Sequence, residues 1–211
     1  MWVRFDGAIA GAAFRTGDRI VVGCWPRSPF GPFVDAMWAR PDGARVLIAP
    51  AGAPLRFVSS QYRFEGAIAA ETGASVRHDG LLFSGGPIEL EMRLGSPGAM
   101  SALLTLRPKI VRTWGPWIWV EDALLRPLVG PLLGGGAGIR TRGVTPGGSA
   151  ERYAIHDVRT AASVRASIDG VDLGPTAAPT SPAGFGFSEF PARPALVRVT
   201  SLFEPGCLPA A

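Results

Sequence analysis

The 211-residue chain carries 21 basic residues against 17 acidic ones, a net charge of +4, and every basic residue but Lys109 is arginine. No stretch interleaves clustered basic residues with aromatics as a nucleic-acid interface requires, no window reaches the roughly 18 apolar residues of a membrane span, and two cysteines are too few for a disulfide framework. The 28 glycines and 20 prolines are scattered among apolar runs, which reads as many short strands and turns rather than as disorder.

No charge run or low-complexity linker divides the chain, so residues 1–211 are expected to form one domain. Met1 to Asp6 contains no apolar segment of signal-peptide length, and a cytoplasmic protein is expected. Residues 2–9 alternate around Trp2, Arg4 and Asp6, and Arg19 to Trp25 gives a β-branched run that Pro26 and Pro29 end. Phe33 to Arg40 reads as the next strand. Pro41-Asp42-Gly43 is a tight turn, and Arg45 to Ala49 completes a hairpin.

Pro54 to Tyr62 reads as a short helix and Arg63 to Ala70 as another strand. Ser75 to His78 and Leu81 to Ser84 flank Asp79-Gly80 as a second hairpin. Ile88 to Leu94 sends four apolar residues one way and three charges the other, so one side of its sheet is wet. Residues 99–107 and 117–133 read as helical or broken-helical, the second interrupted by Pro127 and Pro131.

After the glycine run 134–138 come Ile139 to Val144, Arg152 to Val158, Ser163 to Ile168 with a turn at Asp169-Gly170, and a last strand from Ala195 to Phe203. The glycine run lacks the Gly-Lys-Ser/Thr of a phosphate loop. Strands dominate both ends without a βαβ rhythm. The fold class expected is therefore mainly β, antiparallel and closed into a barrel, with a few short helices in the middle of the chain.

One position stands out on chemical grounds. Period-2 alternation places Asp35 on the same strand face as Phe33 and Met37. Burying a carboxylate there costs several kcal/mol unless it is paired, protonated or solvated in a cavity. Asp35 is thus either the partner of a nearby arginine, Arg19 or Arg63, or a cavity carboxylate that orients or deprotonates a ligand. Tyr62 and Arg63 could fix a ligand carbonyl or carboxylate, or simply pack at the surface. Trp25 and Trp38 read as core or rim aromatics, His156 as a satisfied strand histidine, and Cys24 and Cys207 as small hydrophobes or spare thiols. His78 and His156 fit no metal-ligand spacing, and no cofactor or metal is expected.

The Ser28-x-x-Gly31-Pro32-Phe33-x-Asp35 strand, the Asp-Gly hairpin and the helix-like turn after it resemble the front half of the acetoacetate decarboxylase superfamily, in which a Gly-x-Tyr-x-Glu strand lines the cavity. Ala154 to Gly170, Phe185 to Pro191 and Ala195 to Ser201 resemble that family's closing hairpin, Leu-Pro turn and last strand. The likeness covers about half of the chain. It implies a cone-shaped barrel around a small-molecule cavity, often in a homo-oligomer.

The family's Schiff-base lysine stands in a Tyr-Pro-Lys-Lys segment, where the nearest comparable residues here are Gln61-Tyr62-Arg63-Phe64. A guanidinium, with a pKa above about 12, cannot supply that amine. Lys109, in the helical middle of the chain, reads as a solvated lysine rather than a displaced nucleophile. The expected function is binding of a small, partly apolar, carbonyl- or carboxylate-bearing molecule by Asp35, Phe33, Met37, Tyr62, Arg63 and Arg19, without nucleic acid or membrane span. The alternatives are an acid–base enzyme acting through Asp35, such as a hydratase, isomerase or cyclase, and a lipocalin-like lipid carrier.

Overall fold

A computed structural model of the chain describes residues 2–98, 101 and 139–208. The helices expected over 99–107 and 117–133, Lys109 and the glycine run 134–138 lie outside the described residues, Ser101 excepted.

β1 (Val3–Ala13), β2 (Arg19–Arg27), β3 (Phe33–Ala39) and β4 (Arg45–Ala49) form an antiparallel meander. The β3–β4 reversal uses the turn chemistry that its sequence announces. Gly43 has φ 89°, and the Ala44 N–H donates to Asp42 Oδ1 at 2.9 Å. α1 (Ala53–Gln61) starts with Pro54 in its first turn, where a missing N–H costs nothing, and buries Phe57, Val58 and Gln61. β5 (Gly66–Ala69) then pairs parallel to β4.

β6 (Thr72–Val76), β7 (Gly80–Gly85) and β8 (Ile88–Leu94) make a second meander. In β8, Ile88, Leu90 and Met92 are buried while Glu89 and Arg93 are exposed, as alternation requires. β9 (Arg142–Val144) pairs with the start of β10 (Ala150–Ile168), which runs for 19 residues where the sequence suggested two shorter strands. Register shifts between Ile155 and Asp157 and between Ala161 and Ser163 bend β10 and hand it from one neighbour to another. Its first half pairs with β12 (Ala195–Phe203) and its second with β8. β11 (Val171–Asp172) returns through Asp169 and Gly170, at φ 50° and 77°, both left-handed as in a type I′ turn.

The ladder follows the order β5-β4-β3-β2-β1-β12-β10-β8-β7-β6, with β9 and β11 attached to β10. Its two ends, β5 and β6, are joined in sequence by Ala70 and Glu71 alone. The sheet is therefore strongly curled, yet among the described residues no ladder joins β5 to β6. This corrects the expected closed barrel to an open half-barrel. At its end of the sheet β6 crosses towards β3, where Thr72 Oγ1 donates to the Val34 carbonyl at 2.7 Å. The bend in β10 brings the two arms face to face instead of edge to edge.

The dry core lies between those arms. Ile20, Val22, Ile48 and Leu196 of the long arm meet Leu81, Phe83, Ile88 and Leu90 of the short one, all buried. Each such side chain contributes roughly 1.5–3 kcal/mol by leaving water. The other face of the long arm carries a second cluster, in which Phe5 stacks on Phe57 at 5.2 Å and Phe57 meets Phe203 edge-on at 5.0 Å. Helix α1 is pinned there by its Phe57.

Candidate functional site

The same strand parity that sends Val22 and Ala36 into the dry core sends Val21, Gly23 and Trp25 of β2, and Phe33, Asp35 and Met37 of β3, to the opposite face. There they line a cavity of about 170 Å³ together with Val197, Val199 and Ser201 of β12 and Glu151, Tyr153 and Ile155 of β10. Helix α1 and the loop 183–191 cover it.

The loop is fastened at several points. The Ala183 and Gly184 N–H groups both donate to the Glu189 carboxylate at 2.9 Å, and Arg45 Nη1 donates to the Gly184 carbonyl at 3.0 Å. Phe187 stacks on Tyr153 at 5.6 Å. Phe190 lies over Gly11, where an added Cβ would stand 2.5 Å from its ring.

Asp35 is 2% exposed. Gly23 faces it across the β2–β3 ladder, and Trp25, next on that face, donates Nε1–H to Asp35 Oδ1 at 2.8 Å. Gly23 is small for a reason: a Cβ there would lie 2.6 Å from both Asp35 Oδ1 and Trp25 Nε1. Oδ2 makes no hydrogen bond among the described residues. Burial pushes the carboxyl up to about 7, and the Trp25 hydrogen bond opposes that rise.

A second acid faces the cavity. Glu151 is 1% exposed, and its Oε1 accepts from Tyr62 at 2.8 Å and Ser201 at 2.7 Å, with Tyr62 also 2.9 Å from Oε2. The Tyr62 and Tyr153 hydroxyls are 3.3 Å apart. Burial lifts Glu151 to about 7 despite its three hydroxyl partners, Ser201, Tyr62 and Tyr153. Burial, and then the Glu151 charge, raise both tyrosines well above their ordinary value.

The structure brings Phe33, Asp35, Met37 and Tyr62 together around the cavity and leaves out Arg19 and Arg63. Arg19 Nη2 donates to Ser181 Oγ at 3.2 Å, and Arg63 is exposed, its backbone N–H bonded to the Phe185 carbonyl. Neither arginine pairs with Asp35, whose partner is the indole of Trp25. Tyr62 packs inward, not at the surface, because it ends α1 in an extended conformation and drops its ring towards Glu151.

Trp38 lies on the other face and donates to Asp18 Oδ1 at 2.8 Å, and His156 Nε2 bonds Thr200 Oγ1 at 2.8 Å. Burial and then the Asp35 charge push the Cys24 thiol to about 12, which keeps it a buried hydrophobe. Among the described residues, no group of three His, Cys, Asp or Glu side chains could hold a metal ion, and no helix is long and apolar enough to cross a membrane.

Sequence reasoning missed Glu151, Tyr153 and Ser201. The signal was present in the alternation Glu151-x-Tyr153-x-Ile155, an acid sharing a face with large side chains as Asp35 does.

No family model matches this chain, and no curated protein matches it. Among solved structures, the crystal structure of acetoacetate decarboxylase from Legionella pneumophila is similar over 97% of this chain and 85% of that one, with a TM-score of 0.45 and 10% identity. A likeness of that degree transfers no residue role and no activity.

Proposed function

We propose that the chain is a single-domain binder of a small, largely apolar, uncharged molecule bearing a carbonyl group, held in the cavity over the long arm of the sheet. The observation that carries this reading is the meeting of two buried carboxyl groups, neither paired with a cation, in a largely apolar hollow, one with an oxygen left over for a ligand. A cavity of about 170 Å³ is comparable to the ~150 Å³ apolar cavity that takes up benzene, and it is too small for a long acyl chain. The lipid-carrier reading therefore loses support. A carboxylate ligand is also disfavoured, because it would meet Asp35 and Glu151 inside while the bordering arginine, Arg140, is exposed.

Saturation-transfer NMR with cyclohexanone, cyclohexanol and benzoate at pH 8 tests this. Cyclohexanone should receive saturation, and a Val199→Phe substitution that fills the cavity should abolish the effect. Equal or stronger transfer to benzoate would refute the reading.

A second reading is favoured by the bare Oδ2 of Asp35 and its carboxyl near 7: an enzyme that uses this group as acid or base without a covalent step. Asp35→Asn separates the two. A pure binder keeps its ligand, whereas such an enzyme loses turnover by roughly a hundredfold or more.

A further inference from the structure

Resting on the ligand reading above, a further role follows from how differently the two acids are furnished. Glu151 Oε1 accepts from Tyr62 at 2.8 Å and from Ser201 at 2.7 Å, and Tyr62 also reaches Oε2 at 2.9 Å. Hydrogen bonds that end on a carboxylate favour its charged form, so Glu151 is the better holder of a negative charge. Asp35 accepts one hydrogen bond, from Trp25 Nε1 at 2.8 Å, and no cation stands against it among the described residues. A second charge in the same largely apolar cavity is opposed by the first, which leaves Asp35 as the acid that keeps its proton.

The Trp25 hydrogen bond also decides which oxygen carries that proton. An indole N–H only donates, so Oδ1 is the accepting, carbonyl-like oxygen and the hydroxyl is Oδ2. Gly23 permits this arrangement, since a Cβ there would stand 2.6 Å from both Oδ1 and Trp25 Nε1. Oδ2 has no hydrogen-bond partner among the described residues, and Asp35 lines the cavity with Val21, Phe33 and Met37. A buried hydroxyl without an acceptor leaves a hydrogen bond unmade, and a ligand oxygen would complete it. A carboxylic acid kept neutral by an apolar site is suited to donate to a carbonyl.

We propose that Asp35 serves this site as a neutral carboxylic acid whose Oδ2–H donates to the carbonyl oxygen of the ligand, so that uncharged acceptors are held while the proton is present and released when it leaves. Burial sets the carboxyl at about 7, the Trp25 hydrogen bond opposing, so affinity for a ketone is full in mild acid and falls as pH rises through neutrality. An alcohol behaves differently. Its hydroxyl accepts from neutral Oδ2 and donates to the ionised one, so it keeps a partner on both sides of the titration.

The other titratable or charged groups that line the cavity among the described residues are Tyr62, Arg140, Glu151, Tyr153 and Glu189. Burial, and then the Glu151 charge, hold both tyrosines protonated throughout this range. Cys24, next to Gly23, stays a thiol because burial and then the Asp35 charge push it to about 12. Arg140 is exposed, and Glu189 is engaged by the Ala183 and Gly184 N–H groups. Glu151, lifted to about 7 by burial, titrates in the same window, so the experiment must separate it from Asp35.

Saturation-transfer titrations give dissociation constants for cyclohexanone and cyclohexanol at pH 5.5, 7 and 8.5. In the wild type, cyclohexanone should bind at least about tenfold more weakly at pH 8.5 than at pH 5.5, while cyclohexanol changes by less than about threefold. Asp35→Asn keeps an oxygen for Trp25 and an N–H for the ligand at every pH, and leaves Glu151 in place. It should hold cyclohexanone with an affinity that varies by less than about threefold over the range. A wild-type affinity for the ketone that is flat or rises with pH overturns the proposal. So does an alcohol affinity that falls in step with that of the ketone, and so does an Asp35→Asn protein that loses the ketone with pH as the wild type does, which assigns the effect to Glu151. The wild-type ratio of ketone to alcohol affinity decides the matter even if the variant fails to fold. No transfer to the ketone at any pH sinks the ligand reading and this proposal together, whereas binding without the pH dependence sinks this proposal alone.

Discussion

Replacing Asp35 by asparagine removes one ionisation and keeps the oxygen that accepts from Trp25. Burial raises this carboxyl from 3.8 to about 7 in the folded protein, the Trp25 hydrogen bond opposing, while the unfolded chain keeps the ordinary value. Between those two values the unfolded state gives up its proton and the folded state retains it, so stability falls as pH rises. Below about pH 4 both states are protonated and the group imposes no penalty. Above about pH 7 the penalty is complete, on the order of 4 kcal/mol.

The amide never ionises. The variant should therefore match the wild type near pH 4 and exceed it by up to about 4 kcal/mol at pH 8.5, roughly 10 °C in melting temperature for a chain of this size. Urea unfolding of both proteins at pH 4.5, 6, 7 and 8.5 measures this, and the difference reports the ionisation of Asp35 together with its coupling to Glu151 in the same cavity. A difference that stays constant with pH, or a variant weaker than wild type at pH 8.5, would show that the carboxyl is not desolvated as the structure places it.

Three further substitutions test the packing around the site. Gly23→Ala puts a methyl 2.6 Å from both Asp35 Oδ1 and Trp25 Nε1, and should cost about 1–3 kcal/mol in urea unfolding with a shifted tryptophan emission. Tyr62→Phe removes the donor shared by both Glu151 oxygens. It should cost about 1–2 kcal/mol and move the carboxyl stretch of Glu151 to a higher titration midpoint, because the hydrogen bond it loses favours the ionised form. Phe57→Ala empties the contact that ties α1 to Phe5 and Phe203 and should cost about 3–5 kcal/mol, read as a lower urea midpoint with little change in slope.

Local periodicity reveals which face a residue takes but not what stands opposite it. Ile88 to Leu94 and Ala195 to Phe203 were legible with their observed bounds, and Asp35 was legible as a buried acid, because each depends on alternation within one strand. Its partner was not legible. Arg19 shares Asp35's strand face but pairs with Ala39, four residues along β3, about 13 Å away at a strand rise of ~3.3 Å per residue. Trp25, whose indole makes the bond, looked like any core aromatic. Glu151 stood just before the expected start of its strand at Arg152, so its face was never assigned. Closure failed for a similar reason: the bulges that bend β10 depend on which strand pairs with each half, and those pairings join residues far apart in sequence.

The placement of the two acids bears on why the hollow exists at all. One face of the long arm is packed dry against the short arm, and the other could have been filled in the same way, since β-branched and aromatic residues surround Asp35 and Glu151 on every strand. Replacing a buried ionisable group by an apolar one of similar volume is commonly neutral or stabilising. A burden on the order of 4 kcal/mol for Asp35 above pH 7, with a comparable one for Glu151, is large beside the ~5–15 kcal/mol that holds a domain folded. Stability therefore gives no reason for either carboxyl to be where it is. What both positions share is access to one cavity, and Gly23 and Gly11 leave room for the Asp35–Trp25 bond and for the Phe190 that covers it. The physical case for a ligand is thus the same as the physical case against these residues as mere packing: the fold bears their cost where a small molecule can meet them.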